Sequence, residues 1–200
     1  MVSFTGVWSG PDLEILAAML NAAWNTRIDA GTMRSRLSSG LPFMIAHDDA
    51  TAEDRECLES LGLAAHGKIP VGLIETIDIL SRGSYANVPV TYDVLTNNGN
   101  WRKKLDGSDT LILVDVTLLP SRRGKDLGSA LMGHALKAIA RDTGYRYVWT
   151  YTPDIEKVKR WHTGFGAVDT HHVLPCARPF YSVPSVNLMD YSAYVASLRK

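Results

Sequence analysis

The stretch Leu111–Ala140, LILVDVTLLPSRRGKDLGSALMGHALKAIA, constrains the chain more than any other. Its first part, Leu111–Leu119, is an apolar and β-branched run with one acid, Asp115, the pattern of a well-buried strand. Pro120–Leu127 is a turn rich in Arg, Lys and Gly. From there Leu127, Ala130, Leu131, Ala135, Ala138 and Ile139 recur at helical spacing, and Gly144 beyond Asp142 suits the helix end. Strand, basic turn and helix start together make an anion site. The opening amides of a helix have no internal partner and point at whatever lies beyond its N-terminus. Gly124 and Gly128 leave those amides uncovered, while Arg122, Arg123 and Lys125 add positive charge. The turn therefore suits a pyrophosphate.

The rest of the composition narrows the class. Two hundred residues, 46% apolar, are enough for one substantial core, and a single domain over 1–200 is expected. Lys plus Arg equals Asp plus Glu at 21 each, so no field draws the chain to nucleic acid or anionic lipid. Cys57 and Cys176 stand far apart without metal-ligand spacing, which points to a reduced, cytoplasmic setting and no metal. The start MVSFTGVWSGPDLE lacks the basic and apolar regions of a secretory signal. No apolar run is long enough to span a membrane.

Read in order, Gly10-Pro11-Asp12 opens a helix with Leu13, Leu16, Ala17, Leu20 and Trp24 on one face. Met33–Leu37 is a short second helix, stopped by Ser38-Ser39-Gly40, and Pro42–Ala46 a strand. His47–Ala65 reads as a loop with a short helix near Arg55–Leu61, and Ile69–Leu80 as a strand. Ser81–Ser108 holds two clusters of turn formers around Pro89. A segment of that length without regular structure is often functional: a lid or acceptor-facing loop, with Tyr92 and Trp101 supplying apolar surface, and an ordinary decorated surface loop are the two readings open. Tyr145–Thr152 alternates as a strand, Pro153–Trp161 is a short helix closed by Gly164 and Gly166, and His171–Leu174 and Val186–Tyr191 are closing strands. Pro175, Pro179 and Pro184 stiffen the connection between those two.

The turn matches neither the dinucleotide fingerprint nor the Walker loop. Arg123-Gly-Lys-Asp-Leu-Gly-Ser-Ala-Leu131 instead resembles the acetyl-CoA signature of the GNAT acyltransferases: Gln or Arg, two residues, Gly, one residue, then Gly or Ala. Arg123 and Gly128 fall on the signature, whereas Asp126 replaces its first Gly; as an N-cap it would accept a helix amide, contributing about 1 kcal/mol. The resemblance implies an α+β (α/β) fold, a single GNAT-type domain. Its sheet would be mixed and mostly antiparallel, with a splayed central strand pair flanked by helices. It implies acetyl-CoA or another acyl-CoA as cosubstrate, held by Val116, Leu118, Arg123, Gly124, Lys125, Gly128 and Ser129, with no metal.

The same resemblance supplies candidates for the chemistry. His162, in Trp161-His-Thr-Gly-Phe-Gly-Ala167, falls where GNATs carry a Tyr beside the departing thiolate. Lys157–Arg178 is similar to a narrower group, the GNAT-like domains that start chains on polyketide synthases by decarboxylating malonyl-CoA. That likeness implies a catalytic trio of His162, Arg178 and a Thr on the splayed strand, Thr150 or Thr152, with Thr150 favoured. A Thr and a His can donate to an enolate oxygen, Arg can hold a carboxylate, and a His of ordinary pKa could protonate the enolate carbon. His162 could equally be a packed ring, and Arg178 a solvated loop residue. Glu75 and Asp115 are open between a general base and a partner for a buried cation. His171 and His172, adjacent on a strand, face opposite ways and cannot chelate together. Three functions follow. The leading one is acyl transfer to a small-molecule amine or a carrier-protein thiol. Malonyl-CoA decarboxylation comes next, then a non-catalytic acyl-CoA sensor, which Asp126 favours. The acceptor and the oligomeric state are not readable.

Overall fold

The computed structural model describes residues 1–88, 92–96, 103–175 and 185–200, without the side chains of Tyr92 and Asp93. Expectations that fall on Pro89, Trp101, Cys176, Arg178, Pro179 and Pro184 lie outside the described residues. Seven strands form one open, mostly antiparallel sheet in the order β1-β2-β3-β4-β5-β7-β6. They are β1 Ser3–Thr5, β2 Met44–Asp49, β3 Lys68–Ile79, β4 Thr110–Leu118, β5 Tyr147–Pro153, β6 Val168–Pro175 and β7 Ser185–Asp190. The helices are α1 Gly10–Trp24, α2 Ala30–Leu37, α3 Ala52–Ser60, α4 Tyr92–Leu95, α5 Leu127–Asp142, α6 Glu156–Gly164 and α7 Ser192–Leu198. The chain divides into two compact units. The first comprises Met1–Ser38, Pro42–Glu75 and Asp115–Ala135; the second comprises Ser39–Leu41, Thr76–Val114 and Leu136–Lys200.

In the first unit, β2 pairs antiparallel with β1 (Phe4 opposite Ala46) and with β3 (Ile45 opposite Leu73). The expected strand at Pro42–Ala46 runs on to Asp49, because the polar His47-Asp48-Asp49 still pairs with Lys68–Pro70. α1 starts where Pro11 and Asp12 place it: the Asp12 carboxylate accepts the Ser9 amide at 3.0 Å, and Pro11 occupies the first turn, where no amide donor is needed. Its apolar stripe is buried, and Trp24 at its end donates from Nε1 to Thr117 Oγ1 at 3.2 Å. α5 lies close to β3 at Gly72. A Cβ there would stand 2.9 Å from Leu131 Cδ2 and 3.0 Å from Leu118 Cδ2, both ends of flexible side chains.

In the second unit, β4 pairs parallel with β5 over Thr110–Leu113 and Tyr147–Thr150 only. β5 then keeps its antiparallel ladder with β7 from Trp149 through Pro153. Its core gathers Ile77, Ile79, Ile112, Trp149 and Leu188, with the Tyr85 ring 5.0 Å from Trp149. The segment read as a lid or a surface loop contributes to this core. It forms a 3₁₀ turn at Tyr85–Asn87 and the short α4, and Val88 and Leu95 are buried. Among the described residues no helix is long and apolar enough to cross a membrane.

Gly72→Ala is expected to cost about 1–3 kcal/mol, because Leu131 and Leu118 must both shift to admit the methyl group. Urea unfolding checks this; an unchanged midpoint would show that α5 is not seated on Gly72.

Candidate functional site

The basic turn is built from β4 outward. Leu119 closes the strand by donating its amide to the Val71 carbonyl (3.0 Å), and Pro120–Arg122 then makes a 3₁₀ turn. Gly124 takes φ +74° and Asp126 φ +56°, two left-handed residues that aim the chain into α5. The Ala130 amide bonds back to the Asp126 carbonyl at 3.1 Å, so the opening amides from Leu127 precede the first bond within the helix. The expected side-chain cap is not formed. The Asp126 carboxylate is exposed and takes no hydrogen bond among the described residues. Among the described residues, the Asp126 carboxylate covers none of the amides that open α5.

What fixes the turn is Asp54, a residue the sequence reading passed over. Its fully buried carboxylate accepts from Ser121 Oγ (2.7 Å), from Arg122 Nε (2.9 Å) and from Arg122 Nη2 (2.6 Å). It also accepts from the Thr51 amide (2.8 Å), completing the capping box that starts α3. Burial by itself raises the Asp54 pKa. The donors of Arg122, Ser121 and Thr51 outweigh that and hold it well below the usual carboxylate range. Arg122 reaches further, to Asp48 Oδ2 (2.9 Å) and the Asp49 carbonyl (3.0 Å).

Two of the three expected anion-binding cations therefore have partners already. Lys125 Nζ sits 2.6 Å from Glu53 Oε2 and donates to the Ser121 carbonyl at 2.8 Å. That ion pair is more than half exposed on both sides and is worth at most about 1 kcal/mol. Breaking the buried Arg122–Asp54 pair costs about 3–5 kcal/mol, so this pair and not the Lys125 contact sets the turn. Arg123 is exposed, with no ion pair among the described residues, and Gly128 and Ser129 are half-buried. On β4, Val116 and Leu118 are the half-buried positions, while Asp115, Thr117 and Leu119 between and beside them are buried. A groove of about 330 Å³ lined by Val2, Phe4, Leu127 and Ala130 adjoins the turn.

Of the two buried acids, Glu75 pairs with a cation. Arg36 Nη1 lies 3.2 Å from Glu75 Oε2, with both side chains inside. Burial raises the Glu75 pKa, Arg36 opposes it, and the neighbouring Asp115 raises it further. Glu75 thus has the buried-cation partner that was one of its two readings.

In the second unit, Thr150 and His162 are both buried. Thr150 Oγ1 donates to the Leu113 carbonyl at 2.9 Å and lies 3.3 Å from the Tyr151 carbonyl, so its hydrogen is committed to the strand. Two residues on, the buried Thr152 Oγ1 has no hydrogen-bond partner among the described residues. His162, in the last turn of α6, places Nδ1 2.7 Å from the Tyr191 hydroxyl, with the Trp161 ring edge-on at 4.8 Å. Burial lowers its pKa to about 4. The ordinary near-neutral pKa behind a proton-donating role on carbon does not hold at this position. Arg178 lies outside the described residues. His171 sits in a β-bulge at φ +55°, so strict strand alternation does not apply to the His171-His172 pair. No group of side chains among the described residues could hold a metal ion.

No protein-family model and no curated protein matches the sequence. The fold is that of the GNAT acyltransferases. The chain is similar to NAA60 of Arabidopsis thaliana in complex with acetyl-CoA, with a TM-score of 0.65 and 14% identity over 96% of this chain and 98% of that one. It is similar to the loading GNAT-like domain of CurA from Lyngbya majuscula, with a TM-score of 0.65 and 17% identity over 96% and 97%. A GphF GNAT-like decarboxylase in complex with isobutyryl-CoA gives a TM-score of 0.61 and 14% identity over 95% and 97%.

Asp54→Ala is expected to lower the urea midpoint by the equivalent of about 3–5 kcal/mol; a loss under about 1 kcal/mol would demote the Arg122 pair to a surface contact. His162 gives a signed pH effect. The unfolded chain takes up its proton near 6.5 and the folded one only near 4, so stability falls as pH drops through that window, by about 3 kcal/mol at its foot. Compared with His162→Gln, in which the other titrating groups are shared, the wild type should lose the extra stability between these values. Parallel pH profiles would contradict the burial of a neutral ring.

Proposed function

We propose that residues 1–200 work as one acyl-CoA-dependent acyltransferase domain. It would pass an acetyl or other short acyl group from coenzyme A to a small-molecule amine or a carrier thiol. The observation that carries this reading is the turn into α5, set by two left-handed residues and pinned through Arg122 to Asp54. Free helix amides recognise a diphosphate through directed hydrogen bonds and the axial dipole, so the paired state of Arg122 and Lys125 does not remove the site. In this reading Arg123, Gly124, Lys125, Gly128 and Ser129 hold the diphosphate, and Val116 and Leu118 line the pantetheine arm. The acceptor's lone pair attacks the thioester carbon, and charge develops on the carbonyl oxygen. The carbon–sulfur bond breaks to release the coenzyme as a thiolate, and the acceptor's proton passes through solvent to that thiolate. Main-chain amides near Val116–Leu118 and the His162 ring are the donors proposed for that oxygen and that sulfur.

A second reading, decarboxylation of malonyl-CoA, has one observation in its favour. Thr152 offers a buried hydroxyl with no partner among the described residues, the kind of group an enolate oxygen would engage, whereas Thr150 has spent its hydrogen. Arg178 is the group proposed to hold the malonyl carboxylate, which then departs as carbon dioxide.

Purified protein incubated with acetyl-CoA and separately with malonyl-CoA, read by mass spectrometry, decides between them. Free coenzyme A released from acetyl-CoA only with an added amine or carrier thiol is the expected result. Acetyl-CoA formed from malonyl-CoA with no acceptor would select decarboxylation. Binding of either thioester without turnover would leave a sensor, and absence of binding would overturn all three.

A further inference from the structure

Tyr191 stands just past the end of β7 and caps the start of α7. It is wholly buried and fixed at both main-chain ends: its amide donates to the Val148 carbonyl (2.8 Å) and its carbonyl accepts from the Val195 amide (2.9 Å). Its hydroxyl meets His162 Nδ1 at 2.7 Å, with the rings edge-on at 5.9 Å between centroids. His162 is clamped from the other side as well, by the Trp161 ring and by the Phe165 and Ala167 amides that donate to its carbonyl. These bonds fix the main chain at both residues, and the two side chains meet through the one hydroxyl–Nδ1 bond.

One hydrogen bond fixes the tautomer of a neutral imidazole, because a nitrogen that accepts carries no proton. Two arrangements are open. Either Tyr191 donates to Nδ1, or Nδ1 donates to the phenol oxygen. In the second, the phenol hydrogen needs another acceptor, and Tyr191 Oη has none among the described residues. A buried hydroxyl hydrogen without an acceptor is the costlier state. Burial raises the pKa of the Tyr191 hydroxyl, with Tyr194 adding to it, and lowers that of His162, so both groups stay neutral across the working pH range.

We infer that Tyr191 is a positioning residue that donates its hydroxyl hydrogen to His162 Nδ1 and so locks the proton of the ring on Nε2. His162 then presents a fixed N–H and no basic nitrogen. It is a hydrogen-bond donor to an oxygen or sulfur bearing developing negative charge, and it does not remove a proton from the acceptor. A neutral imidazole in this role polarises a carbonyl without transferring its proton. This inference rests on the proposal that His162 serves the acyl-CoA chemistry, and it holds equally for transfer and for decarboxylation.

The test separates the tautomer from the activity. Protein labelled with ¹⁵N at histidine is read by NMR at neutral pH, with His162 assigned by the loss of its signals in His162→Gln. The expected result is a directly bonded proton on Nε2 and an accepting, unprotonated Nδ1. Tyr191→Phe, which removes only the hydroxyl, should release the proton to exchange between the two nitrogens. In the turnover assay the same variant should lose roughly 10–100-fold in kcat with KM for the thioester nearly unchanged, the size seen when a hydrogen bond behind a reacting ligand is removed. A proton found on Nδ1 of the wild type would overturn the inference whatever the activity proves to be. So would a Tyr191→Phe protein whose His162 tautomer is unchanged while its activity falls.

Discussion

One buried carboxylate organises the half of the molecule that would hold a coenzyme. Asp54 starts α3 through its capping box with Thr51 and, with the same two oxygens, takes up Ser121 and Arg122 from the basic turn. A charge this deeply buried survives only because every lone pair is occupied by a donor. The ion pair therefore works as a hinge pin and adds little net stability over an apolar pair of the same shape. Its value is positional. With Arg122 fixed, Gly124 and Asp126 take left-handed conformations that bring the chain into α5. The turn's geometry is thus determined by a residue about seventy positions away.

The second unit shows the same economy with neutral groups. Thr150 is committed to the Leu113 carbonyl at the last pair of the parallel ladder, so its hydroxyl is part of the strand. Thr152, past that last pair, keeps a hydroxyl with no partner among the described residues. His162 is not a charged acid waiting for a substrate: burial keeps its ring neutral, and its one side-chain hydrogen bond goes to a phenol. A buried neutral donor exerts more on a developing charge than an exposed charged one, because little water competes for it. With the inferred tautomer, the chemistry open to this ring is polarisation rather than proton transfer.

The elements that carry the fold were legible because their signals are local. The apolar run of β4 and the 3.6-residue stripe of α5 place strand, turn and helix opening from the sequence alone, and Pro11 with Asp12 does the same for α1. β1 was missed because three residues have no periodicity of their own; it exists through its ladder to β2. The polar end of β2 was read as loop because its pairing with Lys68–Pro70 is a partner effect, not a propensity. The segment after β3 reads as a lid or surface loop from its turn formers, yet Val88 and Leu95 lie in the core, an outcome set by what surrounds them. At the site, counting cations overstated the free charge, since the carboxylates that claim Arg122 and Lys125 come from α3 and the end of β2. The Thr51-x-x-Asp54 capping box was the one sequence signal that pointed at Asp54. The Tyr191 contact to His162 left none, because twenty-nine positions separate two ordinary aromatic residues.

The central claim is that the main chain at the start of α5, held by Asp54, grips the diphosphate of coenzyme A. The most direct measurement is a two-dimensional amide NMR titration of the ¹⁵N-labelled protein with coenzyme A, compared with dephosphorylated pantetheine. The account predicts that coenzyme A moves the Gly124, Leu127 and Gly128 amides furthest, and that pantetheine leaves them in place. Saturable binding with those three amides unmoved would contradict it.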